Sequence, residues 1–370
     1  MKIVCSTQKL SKAAQIVQKA LPSKAVSPIL TSIYIKAEGE KIELQATDYE
    51  IGIAVTMDAE VIEEGEIILP GSYFTNLLRK LSGENVEISK NEQENKIIIS
   101  SGGNETDLFS TSAEEYPVLN KLAVSNFVKI KDDILKDLIK KTVFACSNDE
   151  SRPIFTGVYV GIKEHDITFV ATNTHRMALK SYTSETDNGN FSMVIPSRIL
   201  KEIDRINVGE LPEEIMISWK SRQIAVRMGD IYIESRLIEG NFPDYNKVIP
   251  ESFTKEAKFK TNELLAAVDR VSLLYKEGEY NVVRLNIDNN QMNVTSSNPE
   301  MGKAKEVIDC ENQGGQIEIA FNSRYINDIL KNVETEYSVI SLNSSVSPAC
   351  IKPEGEENYI YIVTPIRVAY

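Results

Sequence analysis

The sequence predicts an α+β protein built from three tandem domains of similar architecture, each with two helices packed on antiparallel sheets. Two observations support this prediction: similar segments recur about every 125 residues, and every recurrence contains both helical and strand-like patterns. The 370 residues leave room for three domains, since a domain commonly takes roughly 100–200 residues. We expect the domains to span residues 1–122, 129–251 and 252–370.

The first repeated element is a helix that follows an extended segment. It is predicted at three places, which are Leu69–Arg79, Ile195–Ile203 and Ala320–Leu330. The aligned positions, separated by 126 and 125 residues, are Pro70, Pro196 and Phe321. A strand-like segment keeps nearly the same period, and its threonines, 125 and 123 residues apart, are Thr47, Thr172 and Thr295. Elements that recur in the same order at one spacing indicate a repeated domain.

Each domain also opens on a predicted helix with a polar start. These helices are expected at Ser6–Leu21, Asp132–Phe144 and Thr261–Leu274. In the third helix, Thr261 has the position of an N-cap, and Leu264 and Val268 follow at the spacing of a buried helix face. Glycine- and asparagine-rich turns at 102–104 and 187–190 separate strand-like segments.

Composition excludes several classes of protein. Hydrophobic residues make up 42% of the chain and charged residues 26%, as in ordinary globular domains and unlike disordered chains. The longest apolar runs, such as Ile97–Ile99, are far shorter than the ~18 residues of a membrane helix. We therefore expect no membrane association.

The cysteines indicate reduced thiols. Four are spread along the chain without a C-x-x-C pair, and they are Cys5, Cys146, Cys310 and Cys350. The polar start of the sequence has no signal-peptide pattern. We expect a cytoplasmic protein without disulfides, metal site or cofactor.

Charge is segregated along the chain, although the net charge of −13 alone argues against a nucleic-acid partner. Residues 1–37 contain six lysines and no acid, whereas residues 38–66 contain ten acids and one lysine. In the second copy of the repeated helix, Arg198, Lys201 and Arg205 share one face. These could be solvated faces of amphipathic helices, or helices of all three domains could turn a basic face to one polyanion, bound without sequence reading.

The sequence offers little for catalysis. No nucleophile elbow, zinc-protease motif, phosphate loop or dinucleotide fingerprint is present. Asp48, Glu50 or His175 could serve a hydrolase, but no partner motif accompanies them, and a turn role is the simpler reading of His175. We therefore expect a protein without enzymatic activity.

The closing run Tyr359–Arg367 is apolar and aromatic, which is unusual near a chain end. It could form a last core strand, or it could form one wall of a groove for a partner's peptide.

Four stretches together resemble one family. They are Ser27–Leu30, Ala171–Arg176, Glu239–Tyr245 and Thr364–Arg367. With the threefold repeat, they make the chain similar to the bacterial DNA polymerase III beta subunit, the sliding clamp, over essentially its whole length. The resemblance implies a DNA clamp fold in which two chains form a head-to-tail homodimer and close a six-domain ring around duplex DNA. It also implies a processivity factor that binds the replicative polymerase, the clamp loader and other proteins carrying a clamp-binding motif.

The resemblance places a peptide-binding groove between the second and third domains. The implied wall residues are Arg152, Phe155, Thr172, Thr174, His175, Arg176, Met177, Pro243, Lys247, Val248, Val346, Pro348, Ile362, Val363, Thr364, Pro365, Ile366 and Arg367. Thr174 stands where the family commonly has glycine, and Met177 where leucine is common.

The resemblance, extended by helical spacing, also implies DNA-facing and dimer-forming residues. The DNA-facing set is Lys24, Arg79, Arg198, Lys201, Arg205 and Arg324. Ring closure is expected to join Leu108 and Phe109 of one chain to Leu273 and Leu274 of another, although core packing is an equally fair reading of these pairs. A cytosolic repeat scaffold that binds peptides without encircling DNA is the alternative from another class, and basic helices in all three domains would argue against it.

Overall fold

The computed structural model describes residues 1–22, 24, 27–91, 93, 95–123, 126–206, 214–274 and 281–367. In the first third of the chain the elements are β1 (Lys2–Ser6), α1 (Thr7–Val17), β2 (Ser32–Glu38), β3 (Lys41–Thr47), β4 (Ile51–Asp58), β5 (Glu60–Glu63), β6 (Gly65–Pro70), α2 (Gly71–Leu78), β7 (Asn85–Asn91), β8 (Lys96–Ser101) and β9 (Asn104–Phe109). The middle third contains β10 (Asn126–Lys131), α3 (Asp132–Lys140), β11 (Gly157–Lys163), β12 (Asp166–Thr172), β13 (Arg176–Thr183), β14 (Asn190–Pro196), α4 (Ser197–Arg205), β15 (Glu214–Lys220), β16 (Gln223–Met228) and β17 (Ile231–Arg236). The last third contains β18 (Lys255–Lys260), α5 (Thr261–Val271), β19 (Val282–Asp288), β20 (Gln291–Asn298), β21 (Gly302–Gln313), β22 (Ile317–Asn322), α6 (Ser323–Leu330), β23 (Tyr337–Leu342), β24 (Ala349–Pro353) and β25 (Tyr359–Val363).

The same order of elements occurs three times. Each third has a strand, a helix, four strands, a second helix and three further strands, with β5 as an extra short strand in the first third. All pairings between the named strands are antiparallel. The α+β class with two helices in each repeat, which the sequence predicts, is confirmed.

One compact unit comprises residues 1–132 and 205–237. It holds a five-stranded sheet in the order β5-β1-β7-β8-β9 and an eight-stranded sheet in the order β10-β15-β16-β17-β4-β3-β2-β6. The eight-stranded sheet combines strands of the first and second repeats, because β17 pairs with β4.

The other compact unit comprises residues 133–204 and 238–370. Its twelve-stranded sheet has the order β14-β11-β12-β13-β25-β24-β23-β18-β21-β20-β19-β22. Here β25 of the third repeat pairs with β13 of the second. In both units, therefore, the last strand of one repeat extends the sheet of the preceding repeat.

Helix α1 shows how the sequence produces these elements. Ser6 caps its N-terminus, because the Ser6 side chain accepts a hydrogen bond from the Lys9 N–H at 3.4 Å. Its buried residues lie three or four positions apart and face strands β3 and β4; they are Thr7, Leu10, Ala13, Ala14 and Val17.

All three opening helices end earlier than the sequence predicts. Helix α1 stops at Val17 and gives way to a short 3₁₀ turn, α3 stops at Lys140, and α5 stops at Val271. The prediction of Thr261 as an N-cap is also wrong. Lys260 holds that position, and the Thr261 hydroxyl instead lies 2.8 Å from the Ser338 hydroxyl in the core. Apolar spacing predicts the buried face of a helix but does not fix where the backbone turns away.

Candidate partner groove and basic helix faces

The loop between β12 and β13 forms the centre of the candidate groove. The Thr172 hydroxyl donates to the Arg176 carbonyl at 2.7 Å. The Asn173 side-chain oxygen accepts from the N–H groups of His175 at 3.1 Å and Arg176 at 3.0 Å. Short polar side chains that bond the backbone two or three residues ahead are typical of tight turns, and here they fix the position of His175.

Thr174 occupies the left-handed region of backbone conformation, with φ of +75°. This region is an outlier for a β-branched residue, whereas glycine adopts it freely. Threonine stands here where the family that the sequence resembles commonly has glycine, and the loop keeps the glycine-like conformation. The hydrogen bonds around Thr174 therefore hold a strained residue in place.

Arg176 holds the loop against two other elements of the same unit. Its Nη1 lies 2.5 Å from Oδ2 of Asp328 on α6, and its Nη2 donates to the Phe144 carbonyl at 2.5 Å. The guanidinium also lies over the Tyr325 ring, 4.5 Å from its centroid. Burial by itself lowers the pKa of Arg176, but neighbouring Tyr361 and Asp328 outweigh it and raise that pKa above the ordinary value. The Arg176 side chain thus serves to stabilise the fold and not to bind a ligand.

An apolar cavity of about 350 Å³ lies beside this loop. Its lining is Thr172, Thr174, His175, Arg176, Met177, Lys247, Val248, Ile249, Pro250, Pro348, Ile362 and Thr364. Met177 and Ile362 are paired across β13 and β25 and are both buried at the base. They pack on Val170, Leu179 and Cys350, which give the cavity a firm floor.

Two further cavities adjoin the loop. One of about 250 Å³ is lined by His175, Asn322, Tyr325, Thr364, Pro365 and Ile366. The other, of about 350 Å³, includes Arg152, Phe155, Thr174, His175 and Arg324 in its lining. Cys146 also contributes to it, and burial raises the pKa of this thiol to about 12. His175 borders all three cavities, which together make up the candidate groove.

Most of the residues implied by the resemblance meet in this candidate groove. Four of them do not line the three cavities, and these are Pro243, Val346, Val363 and Arg367. Val363 is fully buried, because neighbouring strand residues point to opposite faces and Ile362 takes the cavity face. Val346 and Arg367 are exposed.

Four residues that line the apolar cavity or the 250 Å³ cavity were not predicted from the sequence: Ile249, Pro250, Asn322 and Tyr325. The cavity beside Arg152 adds five more, which are Cys146, Ser147, Asn148, Asp149 and Asn173. Asn322 and Tyr325 lie at the start of the third repeated helix, a segment that the repeat had already marked. Tyr325 could have been found from its position on that helix, one turn before Asp328. Ile249 and Pro250 follow a short 3₁₀ turn that no sequence signal indicated.

The basic residues of α4 lie opposite its buried face. Ile199, Leu200 and Ile203 are buried, while Arg198 and Arg205 are exposed and Lys201 is half-buried. The other predicted cations of the DNA-facing set are also exposed, and these are Lys24, Arg79 and Arg324. Helices α3 and α5 carry mixed charge, with Asp133 and Glu263 exposed on them, so the expected basic face is not uniform among the six helices of the described chain.

The residues expected at the dimer interface differ in exposure. The Phe109 side chain is 85% exposed at the end of β9, and Leu273 is 76% exposed just after α5. Leu108 and Leu274 are half-buried. Single exposed apolar side chains are ordinary on a protein surface, so the exposure of Phe109 and Leu273 does not by itself mark an interface.

Metal binding and membrane crossing find no support in the described part of the chain. No group of three or more His, Cys, Asp or Glu residues there could hold a metal ion. None of the helices in the described residues has the length and apolar character that a membrane crossing requires. The four cysteines are buried and unpaired.

Three family models match the chain in sequence. They describe the N-terminal, central and C-terminal domains of the DNA polymerase III beta subunit and match residues 1–120, 129–244 and 246–367. The chain is 33% identical to the beta sliding clamp of Staphylococcus aureus (strain COL) and 32% identical to that of Staphylococcus epidermidis (strain RP62A), over 94% of each chain.

Solved structures give the same result. The DNA polymerase sliding clamp of Bacillus subtilis is similar with a TM-score of 0.95 and 31% identity over all of both chains. The DNA polymerase III beta chain of Streptococcus pneumoniae has a TM-score of 0.94 and 30% identity, and the match covers 99% of this chain and all of that one.

The repeated fold and these matches define a sliding clamp, a DNA polymerase processivity factor that is not an enzyme. The chain belongs to the DNA polymerase III beta subunit family.

We predict that Arg176→Met lowers the free energy of unfolding by about 3–5 kcal/mol, because it removes the close cation from Asp328 and the donor from the Phe144 carbonyl. Urea unfolding measures the change. Arg152→Met is the control, since Arg152 is exposed and should alter stability by no more than about 0.5 kcal/mol. Equal stability of the two variants would show that Arg176 does not hold the groove together.

Proposed function

We propose that two copies of the chain form a head-to-tail homodimer whose six repeats close a ring around duplex DNA. The ring tethers the replicative polymerase, and its groove also receives the clamp loader and other proteins that carry a clamp-binding motif. We propose the domain boundaries 1–122, 129–251 and 252–370 for the three repeats. The observation that carries this proposal is the strand pairing that links one repeat to the next, β4 with β17 and β13 with β25.

The same pairing supports the homodimer. In repeat order, β9 corresponds to β17 and β25, while β21 corresponds to β4 and β13. Among the described residues, β9 pairs only with β8, and residues 302–309 of β21 pair only with β20. Each chain therefore has one edge of each kind still open, and a second copy can complete both. Exposed Phe109 is the last residue of β9, and exposed Leu273 belongs to the third repeat, which contains β21.

We predict that Leu273→Ala combined with Leu274→Ala produces monomers, because exposed Leu273 and half-buried Leu274 supply apolar area to the proposed interface. Sedimentation velocity at low micromolar concentration reports the oligomeric state. Ile62→Ala is the control, since Ile62 is also exposed but lies outside the proposed edges, and it should stay dimeric. A dimer that survives in the double variant would remove this interface.

DNA contact is proposed for six basic residues, Lys24, Arg79, Arg198, Lys201, Arg205 and Arg324. Side chains of this kind contact phosphates without reading sequence, which suits a protein that must slide. A repeat scaffold that only binds peptides would have no use for the basic face of α4.

We predict that Arg198→Glu combined with Arg205→Glu reduces polymerase processivity about tenfold or more at moderate salt, because each lost phosphate contact weakens binding electrostatically. Primer extension on a long template measures the product length. Lys41→Glu combined with Lys220→Glu makes the same charge change at exposed strand positions and should leave processivity intact. Equal loss in both variants would mean that only total charge matters.

The apolar cavity beside Met177 is proposed to take the hydrophobic anchors of a partner peptide. A buried apolar side chain contributes roughly 1.5–3 kcal/mol, so a few anchors give micromolar affinity. Shared use of one groove would make polymerase and clamp loader compete for it.

We predict that Val248→Asp weakens binding of a labelled Gln-Leu-Ser-Leu-Phe peptide by about tenfold or more, because it places a carboxylate in the apolar lining. Fluorescence anisotropy measures the affinity. Val248 is half exposed, so the fold should tolerate the change. Ile62→Asp provides the matched control, and the assignment fails if both variants bind as the unchanged chain does.

We further propose that the chain acts in the cytoplasm, where its four buried thiols stay reduced. Burial raises the pKa of Cys5 to about 12 and that of Cys350 to about 11, which keeps these thiols unreactive.

A further inference from the structure

The first unit contains a second loop with the geometry of the groove loop. In residues 47–51, the Thr47 hydroxyl donates to the Ile51 carbonyl at 2.9 Å. The Asp48 carboxylate accepts from the N–H groups of Glu50 at 3.0 Å and Ile51 at 2.9 Å. Tyr49 has φ of +72°, against +75° for Thr174. Residues 47–51 therefore reproduce residues 172–176 almost bond for bond.

Strand register extends this equivalence. Gly52 pairs with Glu234 across β4 and β17, at the position where Met177 pairs with Ile362 across β13 and β25. The Arg236 N–H donates to the Glu50 carbonyl at 3.2 Å, just as the Thr364 N–H donates to the His175 carbonyl at 2.9 Å. The first junction, where β4 pairs with β17, and the second junction, where β13 pairs with β25, thus have the same backbone frame and different side chains.

The apolar part of the first junction is already filled by the chain itself. A Cβ on Gly52 would lie 2.5 Å from Cδ2 of Leu119, so the leucine occupies space that a side chain takes in the second junction. The Leu119 N–H donates to Oε1 of Gln45 at 2.9 Å, which holds the segment down. Ala54, Ala225 and Tyr232 pack around this leucine. In the described residues around this leucine, no apolar groove like the one beside Met177 is left for a ligand.

A polar cavity of about 400 Å³ remains above Leu119. Glu50 and Glu234 both line it, and Arg236 is the single cation in its lining within the described residues. Neither carboxylate forms an ion pair in the described part of the chain, and Glu234 has only the Tyr232 hydroxyl, at 2.7 Å. Burial raises the pKa of Glu234, the hydrogen bond from Tyr232 acts in the opposite direction, and no cation contributes.

The Tyr49 side chain also lines the cavity and is 56% exposed. A guanidinium suits such a lining better than an ammonium does, because it is planar, bonds carboxylates with two parallel N–H groups and stacks on an aromatic ring. An extended backbone can reach the loop 47–51 as it can reach the loop 172–176, since their conformations match.

We propose that this cavity is a second partner site, which takes the arginine side chain of an extended basic segment of another protein. The proposal uses the proposed function only for the comparison of the two junctions, since the cavity and its charges belong to the first unit alone. Where the second junction selects apolar anchors, the first selects positive charge.

The test is fluorescence anisotropy of a fluorescein-labelled Gly-Ser-Leu-Arg-Leu-Ser amide with the full chain. The matched probe contains citrulline, which keeps the shape of arginine without its charge. We expect saturable binding of the arginine peptide and a loss of about tenfold or more with citrulline or in Glu234→Gln. Glu185→Gln, which removes an exposed acid in the other unit, should bind as tightly as the unchanged chain.

Excess unlabelled Gln-Leu-Ser-Leu-Phe peptide separates the two junctions. Arginine-peptide binding that persists in its presence supports the proposal, even if the apolar peptide itself fails to bind and the proposed groove falls. Displacement by the apolar peptide, equal binding of the citrulline probe, equal binding by Glu234→Gln, or no binding at all would each overturn it.

Discussion

The architecture depends on one kind of backbone interaction, the antiparallel pairing of the last strand of a repeat with the sheet of the repeat before it. This occurs as β4 with β17 and as β13 with β25, each within one compact unit. An edge strand left unpaired invites association, so a chain of such repeats keeps one open edge of each kind until another copy supplies the match. The pairing also brings the loop before β4 next to the end of β17, where the polar cavity forms. In the same way it brings the loop before β13 next to the end of β25, where the apolar cavity forms.

The two junctions show how one frame can serve two chemistries. At the second, Arg176 is buried between Asp328, the Phe144 carbonyl and Tyr325, and the groove beside it is apolar. At the first, the equivalent residue is the buried Ile51, and Leu119 fills the apolar space. Glu234 stands in the first junction at the register position that Ile362 takes in the second, and it gives the polar cavity a charged wall. The two repeats therefore differ in the side chains at each junction, while the backbone hydrogen bonds are the same.

The sequence was sufficient to predict the α+β fold class, the threefold repeat and the location of the helices, because these follow from apolar periodicity and from spacing. Helix ends were less predictable: the overlong Asp132–Phe144 helix and the misplaced cap at Thr261 both concern backbone bonds that periodicity does not record. The groove residues came from the resemblance, and the structure brings most of them together. The sequence could not show that Ile362 and not Val363 lines the cavity, because this depends on which face of β25 is buried. The equivalence of Gly52 with Met177 was also hidden, because it depends on the register of two strand pairs whose members are far apart in sequence.

The central proposal is that the chain is held on DNA by topology, as a closed ring. The most direct measurement loads the protein onto nicked circular DNA with its clamp loader, isolates the complex by gel filtration, and then cuts the circle at one site. A closed ring is expected to stay on the circle, to leave after linearisation, and to stay on linear DNA whose ends are blocked by bound protein. Retention on linear DNA with free ends, or loss from the intact circle at the same rate, would contradict it.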